Sequence, residues 1–267
     1  MIKFLCLGSG SSGNSYYLTD GQTSLLLDAG LNMKTLRKSL AMNGFDLAQV
    51  SAVFITHDHA DHIKSVGYLA NDLDKPIYTT QDIHLGINRN YCVTSKVTAQ
   101  HAHIVNKEVP IQIGDFSITP FEVPHDSSDC VGYCVKHGSV TFCLITDVGH
   151  VTPIIEEKVR DANYLVVESN HDEEMLSNGP YPGYLKARIR SGRGHLSNHD
   201  CAKLLVEQAT EKLKRVWLCH LSEENNHPEL ARKTIVSTLR GYGIVEGVDF
   251  NVEILRRKTP SLIYELN

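Results

Sequence analysis

Short apolar runs separated by turn residues fill the first half of the chain and predict β-strands. The runs at Ile2–Leu7, Ser15–Thr19 and Thr23–Asp28 are of this kind, and the Asp20 and Gly21 pair between the last two is typical of a hairpin turn. The same pattern recurs at Val50–Thr56, at Pro76–Thr80, as a hairpin over Val109–Val123, and at Val131–Val135 paired with Ser139–Thr146.

In the second half, helical spacing of apolar residues alternates with isolated strands. Thr152 and Pro153 are a typical N-cap and first-turn pair, which predicts a helix to about Ala162. Other helices are predicted at Lys34–Asn43, Ile63–Ala70, Asn198–Thr210 and Pro228–Gly241, and other strands at Tyr164–Ser169, Arg215–Cys219, Asn251–Leu255 and Ser261–Leu266. Two batches of strands, each followed by helices, predict two sheets sandwiched between helices. Because no repeat or linker interrupts the chain, we expect one domain over residues 1–267.

The segment from His171 to Gly194 breaks this regularity. It holds glycines at 179, 183, 192 and 194 and prolines at 180 and 182, which interrupt helical and strand patterns alike. Structureless loops of this length are uncommon in compact domains and are usually functional. We therefore predict a long functional loop here.

Composition and charge restrict the class of protein. The 267 residues are 42% hydrophobic and 21% charged, which is typical of a globular chain and excludes a disordered one. A net charge of −5 and a pI of 6.3 argue against a protein that coats nucleic acid with a bulk positive field, because such domains usually have a pI above about 9. A local basic patch is compatible with these values.

The sequence also bears on location. It holds no run of about 18 apolar residues, and its glycine-broken start is too short for a signal peptide. The seven cysteines form no CxxC pair and lie mostly in apolar runs, which is typical of reduced, buried thiols. We expect a cytoplasmic protein with no membrane partner.

Three of the 14 histidines stand together directly after a predicted strand. The stretch THDHADH, residues 56–62, places three imidazoles and two carboxylates within six residues. Imidazole nitrogen and carboxylate oxygen suit Zn²⁺, Mn²⁺ or Fe²⁺, and alternate residues on a tight turn can serve two adjacent ions. A solvated polar loop is the alternative. Four other predicted strand ends argue against it, because each also delivers an acid or an imidazole: Asp28, His125, Asp147 and His220.

This order of side chains resembles the five motifs of the metallo-β-lactamase fold, and the resemblance covers nearly the whole chain. It implies an α/β fold of four layers, an αββα sandwich with two mixed β-sheets flanked by helices, and two divalent metal ions per chain. The resemblance further implies that His57, His59 and His125 hold one ion, that Asp61, His62 and His220 hold the second, that Asp147 bridges them, and that Asp28 orients ligands by hydrogen bonding.

Two cations at such a site turn water into a nucleophile near neutral pH and neutralise charge on a phosphoryl or acyl oxygen. The superfamily hydrolyses β-lactams, thioesters, lactones and nucleic acids, so the five motifs do not select a substrate. Four further segments resemble the YycJ (WalJ) group, which is associated with 5′-to-3′ exodeoxyribonuclease activity: residues 8–15, 168–172, 194–198 and 220–226.

Glu168 and His195 also resemble a pair in ribonuclease Z, where a strand-end glutamate supports a histidine that assists the leaving oxygen. The resemblance implies catalytic roles for His195, for Glu168 behind it, and for Asp61 beside the attacking water. A phosphodiester needs such a histidine because the departing alkoxide is a strong base, and protonation contributes about 10²–10⁴-fold. A structural role for His195 at the start of a helix is the alternative.

Four cations precede His195 within eight residues, and they are Lys186, Arg188, Arg190 and Arg193. In an acidic chain this run is a candidate track for backbone phosphates, although a solvated charged face would look the same. Further candidate substrate contacts, for which structural roles are equally well supported, are Ser12, Asn14, His171 and Asn226.

We therefore predict a dinuclear-metal phosphodiesterase, an exonuclease that degrades single-stranded DNA or another nucleic acid from the 5′ end, with the polarity resting on the resemblance alone. One alternative is a small-molecule hydrolase of the same fold, acting on a thioester, lactone or cyclic nucleotide. Another is a metal-dependent DNA-binding or regulatory module. The sequence leaves open the identity of the metal, the choice between DNA and RNA, and the oligomeric state.

Overall fold

The computed structural model describes all 267 residues and contains fourteen strands, nine α-helices and a 3-10 helix at Leu47–Gln49. Strands β1 to β14 are Ile2–Gly8, Ser15–Thr19, Ser24–Leu27, Ala52–Phe54, Ile77–Thr79, Ala102–Ile104, Ile111–Ile113, Phe116–Glu122, Val131–His137, Val140–Ile145, Tyr164–Glu168, Arg215–Cys219, Asn251–Ile254 and Tyr264–Leu266. Helices α1 to α9 are Met33–Met42, Ala60–Ile63, Val66–Leu73, Gln81–Arg89, Pro153–Asp161, Glu173–Asn178, Gly183–Ile189, Asn198–Gln208 and Pro228–Gly241.

The strands form two mixed sheets of seven strands each, which confirms the predicted architecture. The first has the order β14-β1-β2-β3-β4-β5-β6 and the second β13-β12-β11-β10-β9-β8-β7. In each sheet an antiparallel part is followed by a parallel part, which begins with the β3–β4 pair in the first sheet and the β10–β11 pair in the second. The carboxyl ends of β3, β4, β10, β11 and β12 are the positions from which most of the candidate ligands project.

Aromatic side chains join the two sheets. Phe4 on β1 lies 4.6 Å from Trp217 and 5.1 Å from Phe142 between ring centroids, and both partners belong to the second sheet. On the outer faces, α1, α3 and α4 pack on the first sheet and α5, α8 and α9 on the second, through buried apolar residues. No helix of the structure combines the length and the apolar character needed to cross a membrane.

The segment that the sequence analysis predicted to be a long loop contains two helices, so that prediction is wrong. Helix α6 begins after Asp172, whose side chain accepts hydrogen bonds from the N–H groups of Glu174 and Met175, at 3.0 and 2.9 Å. Helix α7 begins directly after Pro182. The glycines at 179 and 183 stand at the helix ends rather than inside them, which is why their number did not exclude helices.

Three other differences concern elements with weak sequence signals. Helix α4 and strand β6 were not predicted, and the predicted helix at Ile63–Ala70 is divided into α2 and α3. Strand β6 is only three residues long and contains His103, so it lacks an apolar run.

Three strand ends carry unusual backbone geometry. Asp28, Asp147 and His220 follow β3, β10 and β12 with φ angles of 62°, 56° and 52°. Residues other than glycine rarely adopt this left-handed conformation, and where they do it is often at a functional site. The backbone turns sharply at each of these positions and directs the side chain across the end of its sheet.

Candidate metal centre

Asp28 connects the ends of β3 and β4. Its Oδ1 accepts hydrogen bonds from the backbone N–H and the hydroxyl of Thr56, at 2.8 and 3.0 Å, and its Oδ2 lies 2.7 Å from Nδ1 of His62. Because the Nδ1 proton of His62 is donated to this carboxylate, the imidazole presents its Nε2 to the interior of the site. The contact is the one through which Asp28 would orient His62.

His57, His59 and His125 bring three imidazole nitrogens within 4.8 Å of one another. Nδ1 of His125 donates to the carbonyl of Gly194 at 3.0 Å, and Nε2 of His59 donates to the carbonyl of Asp126 at 3.2 Å. The remaining nitrogens of these two rings therefore carry lone pairs, although they face each other at 3.3 Å. Two lone pairs at this distance repel each other unless a cation lies between them.

His57 supplies the third lone pair of this group. Its Nδ1 lies 3.0 Å from the Thr56 hydroxyl, whereas its Nε2 is buried and has no hydrogen-bond partner. Burial and the neighbouring His62 lower the pKa of His57 well below its ordinary value, so the ring is neutral. A buried, unpartnered imidazole nitrogen is costly in an empty protein interior and is what a metal ligand requires.

Asp61, His62 and His220 form a second group that also meets the 4.8 Å limit. Oδ2 of Asp61 lies 3.3 Å from Nε2 of His220 and 3.6 Å from Nε2 of His62. Asp147 lies between the two groups. Its Oδ2 is 3.3 Å from Nε2 of His62, and its Oδ1 is 3.6 Å from His220 and 3.7 Å from His125.

The site carries an excess of buried negative charge. Asp28, Asp147 and Glu168 are almost completely buried, and Asp61 is mostly so. Burial disfavours a charged imidazole at His62, but the surrounding carboxylates outweigh it and raise the pKa of His62 to about 10. Buried carboxylates need compensating positive charge. Together with the converging lone pairs, this charge balance fits a site for two divalent cations.

Glu168 and His195 form a pair beside this cluster. Nδ1 of His195 lies 2.8 Å from Oε1 of Glu168, and Oε2 of Glu168 accepts the backbone N–H groups of Val148 and Leu196 at 2.7 and 3.1 Å. Burial alone would raise the pKa of Glu168, but His195 and His220 outweigh it and lower the pKa to about 2. The carboxylate is therefore ionised and fixed in place behind the imidazole.

The cluster opens to solvent on one side. The side chain of His59 is 30% exposed, that of Asp61 21% and that of His195 15%, whereas those of His62 and Glu168 are fully covered. A substrate therefore has access to the cations' positions from the side of His59, Asp61 and His195.

The four cations before His195 do not form one continuous stripe. Lys186 and Arg190 point to α6, where they donate to the carbonyl and the hydroxyl of Ser177, at 2.8 and 2.5 Å. Arg188 forms a two-fold hydrogen-bonded ion pair with Asp126, at 2.5 and 3.0 Å. Three of the four charged groups thus already have partners in the chain, and their contact with substrate stays a prediction.

Arg193 differs from the other three cations. It is exposed and uses only Nε, which donates to the carbonyl of His125 at 3.1 Å. Its terminal nitrogens stay available at the rim of the first imidazole group. Of the four, it is the one whose position suits a phosphate contact.

The other four predicted substrate contacts occupy different environments. Asn14 is buried, and its amide lies 2.9 Å from Nε2 of His62 and 3.3 Å from Asp61. Ser12 is exposed at the tip of the glycine-serine loop. His171 is buried, with an unpartnered Nδ1. Asn226 is buried. Its amide nitrogen donates to Ser169, Asn170 and Asn198, and its amide oxygen accepts from the backbone N–H of His227, so it has no donor left for a substrate.

Three residues at the site were not identified from the sequence. Thr56 holds Asp28, Asp126 lies 3.4 Å from Nε2 of His125, and Arg257 borders the glycine-serine loop. Thr56 and Asp126 each adjoin a motif histidine, which is the signal that could have found them. The signal for Arg257 is the run of three cations at residues 256–258 after β13.

Comparison with known families agrees with this geometry. Residues 23–221 match the model of the beta-lactamase superfamily domain, which is well over half of the chain. The exodeoxyribonuclease WalJ of Streptococcus pneumoniae is 37% identical over 251 residues, covering 94% of this chain and 93% of the relative. The exodeoxyribonuclease YycJ of Bacillus anthracis is 33% identical over 262 residues, covering 98% of each.

Solved structures show the same fold at lower identity. The metallo-beta-lactamase fold protein YhfI from Bacillus subtilis has a TM-score of 0.73 and 20% identity, covering 99% of this chain and 100% of that one. The short form of human tRNase Z has a TM-score of 0.66 and 17% identity, covering 98% and 100%. The chain therefore belongs to the metal-dependent hydrolases of the beta-lactamase superfamily, in the group formed by the WalJ and YycJ proteins.

Proposed function

We propose that this protein is an exonuclease that hydrolyses phosphodiester bonds of single-stranded DNA from the 5′ end. The names of the WalJ and YycJ relatives, which align over nearly their whole length, support the reaction class. The observation that carries the proposal is the Glu168 and His195 pair on the open side of the cluster, because a poor leaving group such as an alkoxide needs a proton donor there. The seven free cysteines accord with a cytoplasmic location.

The residues that would hold the two cations are His57, His59 and His125 for one and Asp61, His62 and His220 for the other, with Asp147 between them. When bound, two such ions supply a water nucleophile at neutral pH and neutralise the charge that develops on the phosphoryl oxygens. Zn²⁺, Mn²⁺ and Fe²⁺ all suit this set of nitrogen and oxygen ligands.

Asp61 and His195 would act directly on the reacting groups. The Asp61 carboxylate is partly exposed and accepts a hydrogen bond from the Asn14 amide at 3.3 Å, so it is held in place and can orient the attacking water by accepting a hydrogen bond from it. His195 would give a proton to the leaving oxygen. Burial lowers the pKa of His195, but the Glu168 carboxylate outweighs it, and the pKa lies above its ordinary value, so the ring holds a proton to give.

Substrate binding would involve the groups around the opening. In this proposal Arg193 contacts a backbone phosphate on the side of His125, and Ser12 contacts the strand from the glycine-serine loop. Lys186, Arg188 and Arg190 hold α7 against α6 and Asp126, which fixes the position of Arg193 and His195. Asn14 and His171 would support the site from beneath.

The test is digestion of defined oligonucleotides by the purified protein with Mn²⁺ or Zn²⁺. We expect single-stranded DNA labelled at its 5′ end to release labelled mononucleotide first, and the same strand labelled at its 3′ end to shorten progressively. Duplex DNA and RNA of the same sequence should be degraded more slowly. His195→Ala serves as the impaired control, since it removes the proton donor.

Three outcomes would contradict the proposal. A strand that is bound but left intact would indicate a binding module. Release of label from the 3′ end first would overturn the polarity. Hydrolysis of thioesters, lactones or cyclic nucleotides without cleavage of DNA would indicate a small-molecule hydrolase.

A further inference from the structure

A second basic segment borders the cluster, on the side of Asp61, His62 and His220. It comprises Arg256, Arg257 and Lys258, between β13 and β14. Nη1 of Arg257 donates to the carbonyl of Ser222 at 3.1 Å, two residues beyond His220. Arg193 lies on the other side of the cluster, against His125. The site therefore has an arginine on each of two sides.

The glycine-serine loop at residues 8–14 connects Arg257 to the cluster. Ser9 accepts a hydrogen bond from the backbone N–H of His220 at 2.9 Å, and Asn14 contacts Asp61 and His62. The aliphatic part of Arg257 lies over Gly10, where a Cβ would come within 2.9 Å of its Cγ. Gly10 has a φ of 149°, a conformation that residues with a side chain rarely adopt. Because Gly10 has no Cβ, the aliphatic part of Arg257 can lie beside the loop.

Several donors on this side have no partner in the chain. The backbone N–H groups of Ser11 and Ser12 donate to nothing, whereas those of Ser9, Gly10, Gly13 and Asn14 are all used. Both serines are exposed, and Nε and Nη2 of Arg257 are free. Consecutive free N–H groups in a turn form a concave site for an anion, and a guanidinium beside them matches a phosphate with two parallel donors.

The neighbouring charges leave Arg257 available. Lys258 lies 3.0 Å from Glu223, so this neighbouring carboxylate already has a partner. Arg257 itself has no carboxylate within salt-bridge distance. Its half-buried stem is held by Gly10 and Ser222, which reduces the conformational freedom that it would lose on binding.

We propose that Arg257, together with the backbone of Ser11 and Ser12, binds a phosphate of the substrate strand next to the linkage that is cleaved. The inference rests on the proposed function, because it names the part of a DNA substrate that this subsite takes. The strand would cross the cluster between Arg193 and Arg257, with its scissile linkage between the two arginines.

The test compares Arg257→Gln with Arg240→Gln, which removes the same charge from the exposed last turn of α9. For a single-stranded oligonucleotide we expect Arg257→Gln to raise KM about tenfold, as the loss of one charge-assisted contact would. The slope of log KM against log salt concentration should fall by about 0.7, the value for one phosphate contact on a single strand. Arg240→Gln should change neither quantity.

Substrates with one neutral methylphosphonate linkage locate the contact. The neutral linkage is placed at each position of the strand in turn. At the position that contacts Arg257 it should raise KM for the wild-type protein, and at that same position it should not raise KM further for Arg257→Gln. Arg257→Lys should recover the salt slope but only part of the affinity, because lysine keeps the charge and loses the paired donors.

The outcomes separate this inference from the proposed function. If the wild-type protein leaves DNA intact, the proposed function fails. If it degrades DNA and a correctly folded, metal-loaded Arg257→Gln keeps the wild-type KM and salt slope, only the Arg257 subsite is overturned. Equal changes in Arg240→Gln would also overturn it, since they would indicate a bulk charge effect. Should Arg257→Gln fail to fold, Arg257→Lys and the modified substrates give the same decision.

Discussion

The strand-end cluster forms the candidate metal centre, and the α6–α7 segment, residues 172–194, borders it. The two regions are built in opposite ways. In the cluster, buried carboxylates and imidazoles project from strand ends, and each ring is fixed by a partner such as Asp28 or Gly194. In the α6–α7 segment the charges lie at or near the surface, and three of the four cations pair with other groups of the chain, as Arg188 does with Asp126. The type of residue at a strand end therefore indicates the chemistry of the site, whereas a run of charged residues along the chain does not indicate whether they contact substrate or other parts of the protein.

The largest expected effect belongs to the cluster. His62→Ala should lower kcat for DNA by at least about 10³-fold, because it removes a ligand of one of the two cations that would neutralise charge during the reaction. Elemental analysis should find about half of the bound metal lost. His199→Ala, an exposed histidine on α8, is the matched control and should keep both metal and activity. Full activity in His62→Ala would show that the cluster is not the active site.

The next effect tests the boundary between the two regions, where His195 follows α7. His195→Ala should lower kcat about 10²–10³-fold and leave the metal content unchanged, since general acid catalysis contributes in this range. Glu168→Gln should reproduce most of that loss, because the amide cannot hold a protonated imidazole as the carboxylate does. A wild-type rate in His195→Ala would contradict the proposal that His195 gives a proton to the leaving oxygen.

A smaller effect sharpens the comparison within the basic run itself. Arg193→Gln should raise KM for single-stranded DNA severalfold and reduce the salt dependence of KM, because the terminal nitrogens of Arg193 have no partner in the chain and its Nε contacts the carbonyl of His125 beside the cluster. Lys186→Gln should change KM less than about twofold, since an exposed contact such as its hydrogen bond to Ser177 contributes little. Equal effects of the two substitutions would instead support the prediction that all four cations form one continuous track for backbone phosphates.

The smallest effect concerns the stability of the fold rather than turnover, and it involves His171, which lies between the regions. Burial lowers the pKa of His171 to about 4, below the ordinary 6.5. As the pH falls from 7 to 5, the unfolded chain takes up a proton at this position and the folded chain does not. The free energy of unfolding should therefore drop by about 2 kcal/mol more for the wild type than for His171→Gln. Urea unfolding of both proteins at the two pH values measures this, and parallel losses would contradict it.

Much of the fold and the cluster could be predicted from the sequence. Apolar runs that end in Asp28, Asp147 or His220 mark both the strands and the positions where side chains leave them. Both sheets were predicted because hairpin turns such as that at Gly114, with its φ of 56°, have strong local signals.

What could not be predicted depends on contacts between distant residues. Helix α7 begins after Pro182 and is held by Asp126, which lies 62 positions before Arg188 in the sequence. Arg257 reaches the site only because β14 returns to pair with β1 and because Gly10 leaves space for it. Neither contact leaves a periodic pattern in the sequence, so spacing alone could not reveal them.

The central claim is that the strand-end side chains hold two cations, and anomalous scattering from a crystal of protein purified without chelators tests it most directly. The account predicts two peaks per chain, one among His57, His59 and His125 and one among Asp61, His62 and His220, with Asp147 between them. It would be contradicted by no ion at these positions, or by ions found instead at the other end of the sheets, in the group of Asp20, Asp115 and His137.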